Sequence, residues 1–217
     1  MKDFVLEPKF SDENIIVQFS EKIITDKKIS VHVPNGYQAI VFIDEKIISR
    51  IEPCMSKKMS DYGKEYLNRN CRIAFVRSKA IPEILWGFGN IQVNNERLKE
   101  AYRVGANGTY SVEIAEIAKL VNALEFGMDI TTEKIREKTV AILKNIGTSV
   151  LGSFFANTKT SIFEAASLTG ELRKSMIDAL KDEIAFSELG IKLKDLTVDG
   201  IHANEKDLEL IRNRINT

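Results

Sequence analysis

The sequence predicts an α+β fold, on three observations. Apolar and polar residues alternate in short runs through the first half. From Ile114 the apolar spacing changes to three and four, and at Ile191 a strand pattern returns before one last helix. The architecture expected is a mostly antiparallel amino-terminal β meander, a long central strand, packed helices, and a closing strand leading into a carboxy-terminal helix. A β-rich part over about 13–112, a helix-rich α/β part over about 113–204 and the start of a further helix at 205–217 make up the chain.

The meander is read from "NIIVQF", "ISVHV", "YQAIVFI" and "KIISRI", between Ile15 and Ile51. Pro34 presets φ for a turn and Gly36 relieves the steric limit after it, while Asp44-Glu45 makes a tight hairpin between two β-branched runs. "CMSKKMSDYGKEYLNRN" has no clear period and reads as a loop or a short frayed helix before the strand "CRIAFVRS". In "AYRVGANGTYSVEI" every even position from Tyr102 to Ile114 is apolar or glycine. Asn107-Gly108 would suit a hairpin turn, but a turn there breaks that alternation, so one long strand is expected, its glycines marking a bulge or bend.

Helical spacing follows. Ile114, Ile117, Val121 and Leu124 make one short helix stopped by Gly127. A longer helix starts near Thr131 or Thr132 with Ile135, Thr139, Ile142, Ile146, Val150 and Phe154 as its stripe, and Gly147 and Gly152 weaken its second half. Ser161 and Glu164 have capping-box spacing at the head of "SIFEAASL", and "ELRKSMIDALKDEIAFSELG" reads as one helix closed by Gly190. "IKLKDLTVDGI" slips by one residue at Lys194-Asp195, as a bulged strand does. Asn204 then caps a helix with Glu205 and Asp207 in its first turn and Leu208, Ile211 and Ile215 as an apolar seam, a candidate surface for self-association.

Composition removes several function classes. Lys plus Arg and Asp plus Glu each number 31 in 217 residues, so net charge is zero and no basic face for nucleic acid is expected. Cys54 and Cys71 form no local ligand pair and His32 and His202 lie far from each other, so neither a zinc site nor a disulfide framework is expected; reduced thiols suit the cytoplasm. The charged amino terminus does not read as a signal peptide, and nowhere do 18 apolar residues run together, so no membrane span is expected. "GTSVLG" at Gly147 has one residue too many for a nucleophile elbow, "GFGNIQ" at Gly87 lacks the third glycine of a dinucleotide loop, and Asp182-Glu183 points to different faces of a helix. No catalytic, cofactor-binding or metal-binding residue is expected.

Two stretches carry a resemblance. "VHVPNGYQAIVFIDEKI" is similar to the opening strands and turn of the SPFH domain, also called the band-7 or prohibitin-homology domain of stomatin-like proteins. "AFVRSKAIPEILWGFGN" with "YRVGANGTYSVEIAEIAKLV" resembles the bacterial branch once labelled virion-core-like, through Trp86, Gly87, Arg103, Gly108, Thr109, Tyr110 and Ser111. The run from Glu171 to Ile201 is similar to that family's closing helix and strand. The resemblance implies an SPFH-like fold over residues 1–204 and a non-enzymatic scaffold. Such a scaffold forms homo-oligomers and organises or recruits proteins, with membrane proteins or the membrane surface as partners, peripheral to the inner face of the cell membrane. A soluble protein-interaction module without membrane binding is the alternative, and a dispersed enzyme site is disfavoured by the lack of any nucleophile–base or metal cluster.

Overall fold

The computed structural model of the chain describes residues 4–10, 12–20, 28–63, 69–77, 81–181 and 183–215, without the side chains of residues 82 and 215; Asp182 and the Ile215 side chain, both singled out above, lie outside this set. In chain order the strands and helices are β1 (Phe4–Leu6), β2 (Ile15–Phe19), β3 (Ile29–His32), β4 (Tyr37–Ile43), β5 (Lys46–Ile51), β6 (Ser56–Lys58), β7 (Cys71–Arg77), β8 (Ile81–Asn95), β9 (Glu100–Ile114), α1 (Ile117–Ala123), β10 (Ile130–Thr131), α2 (Thr132–Asn157), α3 (Thr169–Leu180), α4 (Ile184–Glu188), β11 (Ile191–Leu196), β12 (Gly200–Ala203) and α5 (Glu205–Ile215). Short 3-10 helices occupy Met59–Tyr62 and Ile162–Leu168. The fold is α+β.

The chain forms two compact units, Met1–Ile81 with Ile114–Ile135, and Pro82–Glu113 with Arg136–Thr217. The sequence suggests one change of character near residue 112; the units interleave instead. The physical reason is strand partnership: β8 and β9 pair with each other and β9 with β11 and β12, so they cluster with the later helices, while β10 returns to β2.

In the first unit a five-stranded sheet has the order β10-β2-β7-β4-β5, and a three-stranded sheet the order β1-β3-β6. Among the described residues the adjacent strands expected of a meander therefore pair only at the β4–β5 hairpin, whose turn residues Asp44 and Glu45 have φ of 49° and 65°, as a primed turn requires. β4 is buried on both faces, which is why "AIVFI" is an unbroken apolar run. Ala39, Val41 and Ile43 join a core with Val31, Val33, Ile51, Met59, Cys71, Ile73 and Phe75. On the opposite face Phe42 meets Phe19 and Phe126 at centroid distances of 5.9 and 5.1 Å. α1 ends at Ala123, ahead of the expected Gly127 stop. The irregular stretch after Pro53 supplies β6, a three-residue strand that periodicity cannot register.

In the second unit β9 is the frame. β11 and β12 run in succession along one of its edges, so β8 takes the other. The closing strand expected to be bulged is two strands: β11 stops at Leu196, Thr197 N–H donates to Thr109 O (2.8 Å) and Asp199 N–H to Asn107 O (2.8 Å), and pairing resumes at Gly200↔Asn107.

α2 runs unbroken for 26 residues through both glycines. Its buried residues are Ile135, Thr139, Leu143, Gly147, Leu151 and Phe155, a strict four-residue spacing. The stripe expected from sequence is therefore correct to Thr139 and one residue early afterwards; Ile142, Ile146, Val150 and Phe154 are half-buried. Gly147 explains the choice of face, because a β-carbon there would stand 2.3 Å from Cζ of Phe88, whose ring lies against the bare backbone. By length and composition alone α2 meets the requirement for a membrane span, with a mean hydropathy of 1.3 over its most apolar 18 residues, a property the search for an uninterrupted apolar run does not detect. Asn95 pins the carboxy-terminal end of α2: its Nδ2 donates to Phe155 O and Thr158 O, both 2.9 Å, and its Oδ1 accepts from Leu98 N–H.

The helix expected from Glu171 to Gly190 is two, α3 and α4, with Glu183 accepting from Ala185 N–H at the start of the second. Ser161 makes no capping box with Glu164; its hydroxyl donates instead to the buried carboxylate of Glu100 (2.9 Å), which local spacing cannot foretell.

Candidate functional site

The residues singled out from sequence gather around the middle of β9, and they form a structural interlock. Trp86 on β8 is 4% exposed, and its Nε1–H is shared between Thr109 O and Thr197 O at 3.2 Å each. One donor thus ties β8 and β9 to the closing segment. Gly108 permits this: a β-carbon on it would stand 2.1 Å from Thr197 O and 3.0 Å from the Trp86 nitrogen. Its role is close backbone approach, in place of the bulge or bend that the sequence suggests. Gly87, by contrast, is exposed and has no atom closer than 3.5 Å to such a position.

Thr109 completes the lock. Its N–H donates to Thr197 Oγ1 (3.0 Å) and the two hydroxyl oxygens are 2.9 Å apart. The Thr197 hydroxyl proton goes to Asp199 Oδ1 (2.8 Å), so the Thr109 hydroxyl is the donor to Thr197. Tyr110, buried, hydrogen-bonds through its hydroxyl to Thr139 of α2, and Ser111 is half-buried on the next position of the strand.

Arg103 sets the approach of α5. Its backbone N–H and Nε donate to Asp207 Oδ2 (2.8 and 2.9 Å) and its Nη2 to Oδ1 (3.0 Å), a bidentate pair reinforced from the main chain. The Arg103 hydrogen bonds hold the Asp207 carboxyl below the usual carboxylate range. Asn204 caps the helix, its Oδ1 accepting from Lys206 N–H (3.1 Å). On α5, Ile211 is 4% exposed and Leu208 half-buried within this single chain, while Leu210 on the opposite side is 60% exposed. The seam named from sequence thus packs inward at Ile211.

Titratable groups elsewhere serve structure. Arg173 donates to Leu196 O (2.6 Å) and Asp195 Oδ1 (2.7 Å), which lowers the Asp195 pKa and ties α3 to β11. Burial, with the Glu100 charge as a smaller cause, raises the Tyr102 phenol, and no partner is within reach of its oxygen among the described residues. Burial also pushes the Cys71 thiol up to about 11. Sequence reasoning missed one serine–histidine contact, His32 Nδ1 to Ser56 Oγ at 2.8 Å. The two are directly opposite in the β3–β6 ladder, and no described carboxylate holds the other ring nitrogen. His202 Nε2 meets Asn107 Oδ1 at 2.6 Å diagonally across the β12–β9 pair, where His202 itself lies opposite Gly105. Among the described residues no three His, Cys, Asp or Glu are placed to hold a metal ion. An open cleft of about 310 Å³ beside α4 and β11 holds Lys181, Glu183 and Lys192, but Lys192 pairs with Glu113 (2.5 Å) and Lys181 with Asp178 (3.5 Å).

The frame of paired strands, the interlock on β9 and the docked terminal helix tie the second unit together by hydrogen bonds. The chain matches the family model of the SPFH domain–Band 7 family over residues 10–215, and it belongs to that family. Its members generally serve as membrane-associated scaffolds without enzymatic activity. No curated protein matches this chain.

Proposed function

We infer that the protein is a non-enzymatic scaffold that self-associates and organises or recruits proteins at the membrane surface, lying peripherally on the inner face of the cell membrane in the cytoplasm. Within the family it is assigned to the branch once labelled virion-core-like, on the run Trp86-Gly87 followed by Arg103 and Gly108-Thr109-Tyr110-Ser111. The observation that carries the reading is the family match over residues 10–215. The interlock supports it: the polar groups of Trp86, Thr109 and Tyr110 and one edge of the Arg103 guanidinium hold strands and helices together, so these residues serve shape.

Two measurements test this. Sedimentation of the native chain should give a mass above 24.5 kDa that rises with concentration, and flotation with anionic phosphatidylserine vesicles should carry protein upward. A second reading is a soluble interaction module without membrane binding, favoured by sheet edges that no other described strand covers and that a partner's segment could extend. Association without flotation selects that module; a monomer that does not float overturns the scaffold.

A further inference from the structure

Asparagine followed by glycine occurs twice in the chain, at Asn35-Gly36 and at Asn107-Gly108. Such a pair is chemically labile, because glycine has no β-carbon to shield its backbone nitrogen from the amide carbon of the asparagine side chain. The fold places the two pairs in opposite surroundings.

Asn35 and Gly36 are the central residues of the turn between β3 and β4. Tyr37 N–H donates to Pro34 O (3.3 Å), Gly36 has φ of 84° and Asn35 has negative φ, which together make a type II turn. The closing bond of that turn comes from its fourth residue, so the N–H of the third is left over. Neither Gly36 N–H nor the Asn35 side-chain amide hydrogen-bonds to a described residue. Asn35 is exposed, and a β-carbon on Gly36 would meet no atom within 4 Å. Water therefore reaches both groups, and no neighbour holds them apart.

Asn107 and Gly108 lie in the middle of β9 with both residues engaged. Asn107 Oδ1 is 2.6 Å from His202 Nε2, the Asn107 carbonyl accepts from Asp199 N–H (2.8 Å), and Asn107 pairs with Gly200 of β12. The Thr197 carbonyl fills the space beside Gly108. Bringing the Asn107 side chain onto the Gly108 nitrogen would draw it off His202 and bend β9 out of its ladder, which requires local opening.

We propose that Asn35 is a site of spontaneous deamidation and that the same dipeptide at Asn107 is protected by its strand. Hydroxide removes the Gly36 N–H proton, and the nitrogen attacks Asn35 Cγ. A bond forms between them, the Cγ–Nδ2 bond breaks, and the side-chain nitrogen takes up a proton and leaves as ammonia. The succinimide ring that results is opened by water at one of its two carbonyls, which breaks that carbonyl's bond to the Gly36 nitrogen. Attack at the backbone carbonyl gives isoaspartate and attack at the side-chain carbonyl gives aspartate. The net change is hydrolysis of an amide, with nothing oxidised or reduced. Either product adds a negative charge to a chain of zero formal net charge, and isoaspartate also lengthens the backbone inside the turn. The bond from Tyr37 to Pro34 is the first contact this disturbs, and beyond it the stack of Tyr37 on Phe10 (ring centroids 4.9 Å apart), over which Arg77 lies. Nothing in this chemistry requires the chain to assemble or to meet a membrane.

The test holds the full chain in mildly alkaline buffer, with and without urea, and digests samples at intervals. Fragment mass spectra read the NH2-to-OH mass gain at each asparagine, and an isoaspartate-specific methyltransferase reads the lengthened product. In the folded chain Asn35 should convert at least about tenfold faster than Asn107, whose reaction waits on opening of the strand, and in urea the two rates should come together. Asn35→Gln, checked for a native thermal melt, should abolish the fast conversion and leave the slow rate at Asn107 unchanged. Equal rates at the two positions in the folded chain, or conversion of Asn35 only in urea, overturns the assignment. Mass gain at Asn35 without isoaspartate also overturns it, because direct hydrolysis gives aspartate alone.

Discussion

Gly108 has no room for a single methyl group: the space is taken by the Thr197 carbonyl that accepts from Trp86. Gly108→Ala should lower stability by about 1–3 kcal/mol through overpacking, read as a fall in the denaturant midpoint at constant m-value, while Gly87→Ala should change it by less than about 0.5 kcal/mol. Equal effects would mean that the glycine is not what admits the closing strand. Asp207 gives a pH dependence. Its folded pKa is depressed by Arg103, so its contribution is present above the unfolded value of about 3.9 and is lost as pH falls through the folded pKa. Hydrogen exchange at the Arg103 amide, which donates to that carboxylate, should therefore gain protection relative to Asp207→Asn at about pH 7 and lose the advantage in acid. The thiols should separate too, exposed Cys54 reacting at once with a thiol reagent and buried Cys71 only on unfolding.

α2 shows what periodicity can and cannot locate. Its start, its length class and its apolar character follow from spacing and from Thr132, but Ile142 and Leu143 are both aliphatic, and only the position of the Phe88 ring against Gly147 decides which stripe turns inward. Leu143→Ala should cost about 2–5 kcal/mol and Ile142→Ala clearly less, measured by chemical denaturation. β9 is legible for the opposite reason: seven alternating positions outweigh one turn-prone pair. β6, the α3–α4 break and the Ser161–Glu100 bond are not, because three residues carry no period and a partner 61 positions away leaves no local mark. For α5 the sequence shows the seam and not its cover. Ile211→Ser should lower the melting temperature without changing the sedimentation mass, and Leu210→Ser should leave the melting temperature where it is, since Leu210 is already in solvent.

At the scale of the whole molecule, fold and family are readable from the chain, and the residues that carry the resemblance make strands, a close approach and a helix dock rather than a reaction centre. Membrane contact and assembly are properties between molecules, which is why the vesicle and sedimentation measurements above, and not the fold, decide them. The interleaving of the two units has a consequence for biosynthesis. A ribosome that has released residues up to 113 has delivered β8 and β9 with none of the segments that close over them, and a first sheet still waiting for β10. Since chains emerge at about 5–20 residues per second, that half-made platform is bare for several seconds on every round of translation, with its longest strands uncovered on one side. Unpaired edges and apolar faces of that kind are what expose a chain to aggregation while it is being made.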